Sequence, residues 1–203
     1  MILGVTFLLG LKGLNDIMKI LKYYIMIKDI ALLRGINVGG NNKVEMRKLK
    51  LAFEAAGFAA VRTYINSGDV MFESAEGDLN KLENIIKKLL QKTCGFAIGV
   101  VIREQADLQK IAKLIPHAWQ NDKEQKTDIL FLWKDFDNKN SLKLIKAVVG
   151  VDDLIYVSGA IVWHVKREHY NKSAMHKFAG TPLYKNMTAR NVNTVRRLVE
   201  LMI

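Results

Sequence analysis

An α+β fold is predicted, made of two ferredoxin-like (split β-α-β) halves, the first running β-α-β-β-α-β and the second a degenerate copy of it, with a basic C-terminal arm and a terminal helix. Three observations predict it. After Met26 the hydrophobic period switches in that order between about 2 and about 3.6 residues. Motifs of the first half return in the second at offsets of 99, 93 and 92 residues. The charge, finally, is lopsided: of a net +11, more than half lies beyond His164.

The elements follow in order. "IKDIALL" (27–33) is an unbroken apolar run and reads as a buried strand. "RGINVGGNNK" (34–43) then interrupts it with three glycines and three asparagines, residue types that accept positive φ. Met46, Leu49, Phe53 and Ala56 recur at helical spacing; Asn42 and Glu45 resemble a capping box, and Gly57 suits the stop. "AVRTYI", "NSGD" and "VMFES" read as strand, turn and strand. Asp78 is placed to cap a helix whose Leu79, Leu82, Ile85, Ile86, Leu89 and Leu90 share a face, and "FAIGVVI" closes the unit as a strand. This order is the split β-α-β of ferredoxin-like domains.

A helix through Leu108, Ile111, Ala112 and Ile115 links the halves. The second half then reads as a degenerate ferredoxin-like copy. "DILFLW" answers "DIALLR", a helix through Leu142, Ile145 and Val148 stops at Gly150, and "YVSGAIVW" echoes "YINSGDVMF". Where the first half has its glycine loop, the copy has "KDFDNKN". The predicted organisation is therefore an N-terminal extension (1–26), a first half (27–103), and a linking helix, second half and basic arm (104–203).

The extension begins "MILGVTFLLGLKGL", with no basic residue before the apolar run and no small-x-small cleavage site; it reads as lying upstream of a start at Met26. A 203-residue chain that is 50% hydrophobic can bury a full core. One cysteine, Cys94, excludes an internal disulfide framework and a cysteine-based zinc site, and the expected setting is cytoplasmic, with no membrane partner. From His164 onward eight Lys or Arg face only Glu168 and Glu200, a balance of +6. Such a basic end favours anionic partners, nucleic acid or nucleotide among them, although a solvated basic surface accounts for it as well.

The glycine loop is the strongest candidate site. Gly35, Gly39 and Gly40 let backbone N–H groups converge, and the helix that follows offers its positive end. Arg34 and Lys43 add charge, and Asn37 and Asn41 can read polar edges. The spacing is neither a phosphate loop nor GxGxxG, so no cofactor is implied. Tyr64 and Ser67 sit at the hairpin. His164, His169 and His176 match no metal spacing, and no metal is expected. Ser173 beside His176 lacks an elbow motif and an orienting acid. Arg190, Asn191 and Thr194 precede or begin the last helix, which Asn193 or Thr194 would cap, and this corner faces the glycine loop's ligand if the arm folds back.

In "LRGINVGG", "TYINSGD" and "TARNVNTV" the chain resembles a bacterial family catalogued as domain of unknown function 1697 (DUF1697), from about Met26 to the C-terminus. The resemblance implies an α+β cytoplasmic protein of no established activity. It places recurrent polar positions at Arg34, Gly35, Asn37, Gly39, Gly40 and Tyr64, and at Ser67, Gly68, Ser173, Arg190, Asn191 and Thr194. Departures fall at Asn66–Asp69, where Gln-Ser-Gly-Asn is usual, at Val192 in place of an aromatic, and at Ser173-Ala174 in place of Ser-Lys. The expected function is binding of a phosphate-bearing ligand at the loop. An enzyme acting on a small anionic metabolite in the same cleft, and a protein-interaction module, are the alternatives.

Overall fold

The computed structural model describes residues 26–39 and 42–203. The reading of residues 1–25 as an upstream extension lies outside them, as do Gly40 and Asn41. The first half contains β1 (Ile27–Leu33), α1 (Met46–Ala55), β2 (Ala59–Tyr64), β3 (Asp69–Ser74), α2 (Leu79–Cys94) and β4 (Val100–Glu104), in the expected order. The strands form one antiparallel sheet in the order β2-β3-β1-β4. The linking helix is α3 (Gln105–Leu114). The rest contributes β5 (Gln125–Leu132), β6 (Asp153–Val157), β7 (Ala160–Lys166), a one-turn α4 (Pro182–Lys185), β8 (Met187–Asn191) and α5 (Val192–Leu201). Its sheet is also antiparallel, in the order β6-β7-β5-β8.

Strand alternation sorts the core into layers. Ala31 and Leu33 point to α1 and α2, packing with Leu49, Phe53, Leu82 and Ile86. Ile30 and Leu32 point the other way, into a core shared with Ile129 and Phe131 of β5 and with α3 and α5. The outer face of the second sheet, Leu130, Leu132 and Trp163, is covered by Ile145, Phe178 and Leu183. Helix α2 starts as expected, Asp78 accepting from the backbone N–H groups of Asn80 and Lys81, and ends on Gly95 at φ +82°.

Four expectations are corrected. The helix through Leu142, Ile145 and Val148 is a 3-10 turn, Lys139–Leu144, followed by extended chain. Its three apolar positions are too few to hold an α-helix, and the Asp152 carboxylate takes the Val148 N–H instead (2.8 Å). The basic arm contains a strand, β8, paired along β5; burying Thr188 and Arg190 deprived it of the apolar pattern that marks strands. Asn42 and Glu45 form no capping box: Glu45 is the N-cap of α1 without a side-chain bond, and Asn42 donates to the Gly35 carbonyl (3.1 Å). Helix α5 is capped by Asn191, which accepts from the Thr194 N–H (2.9 Å), rather than by Asn193 or Thr194.

Candidate functional site

The glycine loop starts where β1 runs out of partners. Leu33 N–H still reaches Gly68 O (2.9 Å) and Arg34 N–H reaches Gly99 O (2.8 Å). The chain then turns through positive φ at Gly35, Asn37, Gly39 and Asn42. Asn37 staples the turn: its Oδ1 accepts from Val44 N–H (2.8 Å), and its Nδ2 donates to Val44 O (3.0 Å) and Asn66 O (3.1 Å). Ile36 plugs into the core under the hairpin, so close to Gly68 that a Cβ there would lie 2.8 Å from Ile36 Cδ1. Loop and hairpin are therefore packed and hydrogen-bonded together. Ile65, at the hairpin corner, is held at φ +41°, a strained conformation for a β-branched residue.

Strand β8 brings the second half against this loop and hairpin. Arg190 is 8% exposed and commits all its donors. Its Nε pairs with Asp69 Oδ1 (2.6 Å), Nη1 donates to Thr188 Oγ1 (3.0 Å) and Ala189 O (2.7 Å), and Nη2 to Leu33 O and Ser67 O (both 2.9 Å). Asp69 is fully buried, and its other oxygen accepts from Ser67 Oγ (2.5 Å). The pair is desolvated but completely hydrogen-bonded, the condition under which a buried ion pair is sustained. Arg190 thus acts as a clamp between the halves.

Around the clamp lies a cleft of about 560 Å³. Arg34, Gly35 and Asn37 line one side, Ser67 the hairpin side, and Asn191 and Thr194 the start of α5. Arg34 Nη1 donates to Met187 O, and the guanidinium lies over the Tyr184 ring, 4.8 Å from its centroid. Its other N–H groups have no acceptor among the described residues, so a cation is oriented while donors are left over. Asn191 turns the positive end of α5 toward the same space.

The matching end of the second half is built differently. Arg103 of β4 stands opposite Ile30 as Arg190 of β8 stands opposite Ile129. Arg103 reaches across in return: Nη2 donates to Leu132 O (2.8 Å) and Gly159 O (2.7 Å), Nη1 to Ile102 O (2.8 Å). The hollow beside it measures about 290 Å³, and Trp133 is part of its lining. Gly99 makes room for that indole: a Cβ there would lie 2.9 Å from Trp133 Cζ2. Among the described residues no carboxylate pairs with Arg103 and its buried Nε has no partner, and burial pulls its pKa below the usual arginine value.

Of the residues singled out in the sequence, Arg34, Gly35, Asn37, Ser67, Arg190, Asn191 and Thr194 line one cleft. Lys43 lies beyond Asn37 in a neighbouring depression with Glu45. Glu45 puts a carboxylate at the start of α1, so the positive helix end near the cleft is that of α5 instead. Gly39 is exposed, and Gly40 and Asn41 lie outside the described residues. Tyr64 packs against the core between the sheets. Ser173 is 3% exposed and donates to Asp152, away from the cleft. Ile65, Asn66, Tyr184, Met187 and Thr188 line it as well; only β8 pairing puts the last two there, and no sequence signal marks them.

The family model described as "Protein of unknown function (DUF1697)" matches residues 26–163. Among solved structures, the conserved bacterial protein SP0830 from Streptococcus pneumoniae is similar at a TM-score of 0.77 and 26% identity, over 88% of this chain and 99% of that one. The acetolactate synthase small subunit from Thermotoga maritima aligns over 81% of this chain and 96% of its own at 18% identity, with a TM-score of 0.21, too low for a shared fold. No curated protein matches. No helix among the described residues is long and apolar enough to cross a membrane.

Proposed function

The chain belongs to the DUF1697 family of proteins of unknown function, and from that premise we propose that it binds a phosphate-bearing ligand of nucleotide size in the cleft between the glycine loop and β8. Arg34 carries the reading: tied at one nitrogen and stacked on Tyr184, it keeps donors for a bidentate grip on phosphate. The positive end of α5 adds to it. Val38 and Ile65, 68% and 58% exposed, give the rim an apolar shelf for a base. The volume, about 560 Å³, is that of an ordinary small-ligand pocket. Asp69, the carboxylate bonded to the cleft-lining Arg190 and Ser67, is consumed by them, which favours binding over acid–base catalysis.

Each half is read as ferredoxin-like, the second as a degenerate copy; the matching strand orders and the reciprocal arginines support this. In that reading the first half's cleft kept its arginine while the copy filled its own with Trp133. The single cysteine supports a cytoplasmic setting.

Calorimetric titration with nucleoside mono- and diphosphates tests the proposal. Arg34→Ala is expected to weaken binding about tenfold to a hundredfold, the worth of hydrogen bonds to a charged group. Oligonucleotides titrated at two salt concentrations separate nucleic acid from free nucleotide, because each neutralised phosphate steepens the log–log slope by about 0.7 to 0.9. Absence of binding to all of these, or equal binding by Arg34→Ala, would overturn it.

A further inference from the structure

A second concavity, of about 770 Å³, lies on the outer side of the second sheet and shares nothing with the cleft above. One wall is the 3-10 turn Lys139–Leu144 with the chain after it; the other is the turn Ala174–Lys177 and the start of α4. Ile145 and Phe178, 4% and 7% exposed, belong both to the lining and to the core beneath. Lys143, Lys146, Lys172 and Lys177 stand around it.

Among the described residues, no Asp or Glu lines this pocket. Among the described residues, none of the four ammonium groups has an ion-pair partner. Asp152, behind the lining, joins the two walls: Oδ2 accepts from Val148 N–H (2.8 Å) and Ala174 N–H (3.0 Å), and Oδ1 from Trp163 Nε1 (2.9 Å) and Ser173 Oγ. Burial alone would raise the Asp152 pKa, but these hydrogen bonds outweigh it and hold the carboxyl below its ordinary value. Its charge is taken up by these four donors, and the four lysines remain in the pocket lining. Ser173 thereby gains a role that is not contact with the first cleft's ligand.

We propose that this pocket binds a small amphipathic anion, an apolar body carrying a carboxylate, sulfonate or phosphate head. The apolar floor takes the body, by removing its surface from water. The four unpaired lysines take the head, and their shared sign rejects an amphipathic cation of the same size. The volume falls in the range of small-molecule sites. A free small molecule fits a two-walled pocket with a buried floor better than a flat membrane surface does.

Fluorescence titration of the full chain with 1-anilinonaphthalene-8-sulfonate, followed by displacement, tests it. Decanoate is expected to displace the probe, and decyltrimethylammonium is not. Lys143→Glu with Lys177→Glu, two exposed positions, is expected to weaken the probe at least tenfold, and Val148→Asp on the apolar rim to weaken it with the charge pair intact. Arg34→Ala should leave the probe unaffected, separating this pocket from the nucleotide cleft. Unchanged affinity in the double variant, or equal displacement by the cation, would overturn the proposal. Binding to anionic vesicles with no binding of probe or decanoate would also overturn it, in favour of a membrane contact.

Discussion

Asp29→Asn is expected to flatten the pH dependence of stability. Asp29 sits in the middle of β1, fully buried, between Phe72 of β3 and Glu104 of β4. Neither carboxylate oxygen has a hydrogen-bond partner among the described residues. Burial, and then the charge of Glu104, raise its pKa from 3.8 to about 7. The folded state therefore holds a proton that the unfolded chain releases near pH 4. Because the folded pKa is the higher one, the stability that protonated Asp29 allows is complete below the unfolded value and lost as pH rises through about 7. Between pH 5 and pH 9 the full shift corresponds to ~3 kcal/mol. Relaxation and water entry reduce such shifts, so about 2 kcal/mol is expected. The asparagine variant lacks this slope, and any constant cost of its buried amide cancels when each protein is compared with itself at two pH values. Urea unfolding at pH 5, 7 and 9 measures it; at this chain length about 2 kcal/mol is roughly 4–8 °C in Tm. Parallel pH profiles for the two proteins would refute the reasoning and mean that Asp29 is ionised and satisfied.

Further outcomes follow from the clamp and the loop. Arg190→Ala leaves Asp69 buried and unpaired, an expected loss of about 3–5 kcal/mol by denaturant unfolding, part of which Arg190→Met with Asp69→Leu restores. Gly68→Ala meets both a positive φ of +79° and the Ile36 side chain at 2.8 Å, whereas Gly57→Ala has φ +91° and open space. The first should therefore cost more than the second, by about 1–3 kcal/mol of overpacking. Asn37→Gly keeps the turn's backbone freedom but removes three hydrogen bonds, so it should destabilise by about 2 kcal/mol and weaken nucleotide binding with it. Equal stability in either glycine or asparagine comparison would mean that the loop is not docked to the hairpin as described.

Much of the first half is legible in the sequence, because its signals are local. Leu82, Ile86 and Leu90 repeat at helical spacing and are all buried. Asp78 stands one residue before that helix and caps it. The second half is less legible for a physical reason. Its crossover chain folds as short 3-10 turns, and the Asp152 carboxylate ties Val148 after them to Ala174, which three apolar residues at helical spacing do not announce. Strand β8 hides in a basic segment because its buried residues are Thr188 and Arg190, and their burial is tolerable only where Leu33 O, Ser67 O and Asp69 wait to receive them.

The site divides in the same way. "RGINVGGNNK" marks itself: glycine and asparagine in that density predict positive φ and a loop, and the loop has both. Its Asn37 reads as a ligand contact but spends its bonds on Val44 and Asn66, a use that depends on where the hairpin docks. Arg190 reads as an anion contact and is instead a fully saturated clamp, because a carboxylate 121 positions away comes within 2.6 Å. By itself the sequence determined the family, the α+β class, the helices of the first half and the loop's positive-φ turns, all of which rest on residues near one another in the chain. Only the tertiary structure decided which arginine keeps donors to offer and which pocket keeps its lysines unpaired. Saturation of a polar group depends on neighbours brought together from distant parts of the chain.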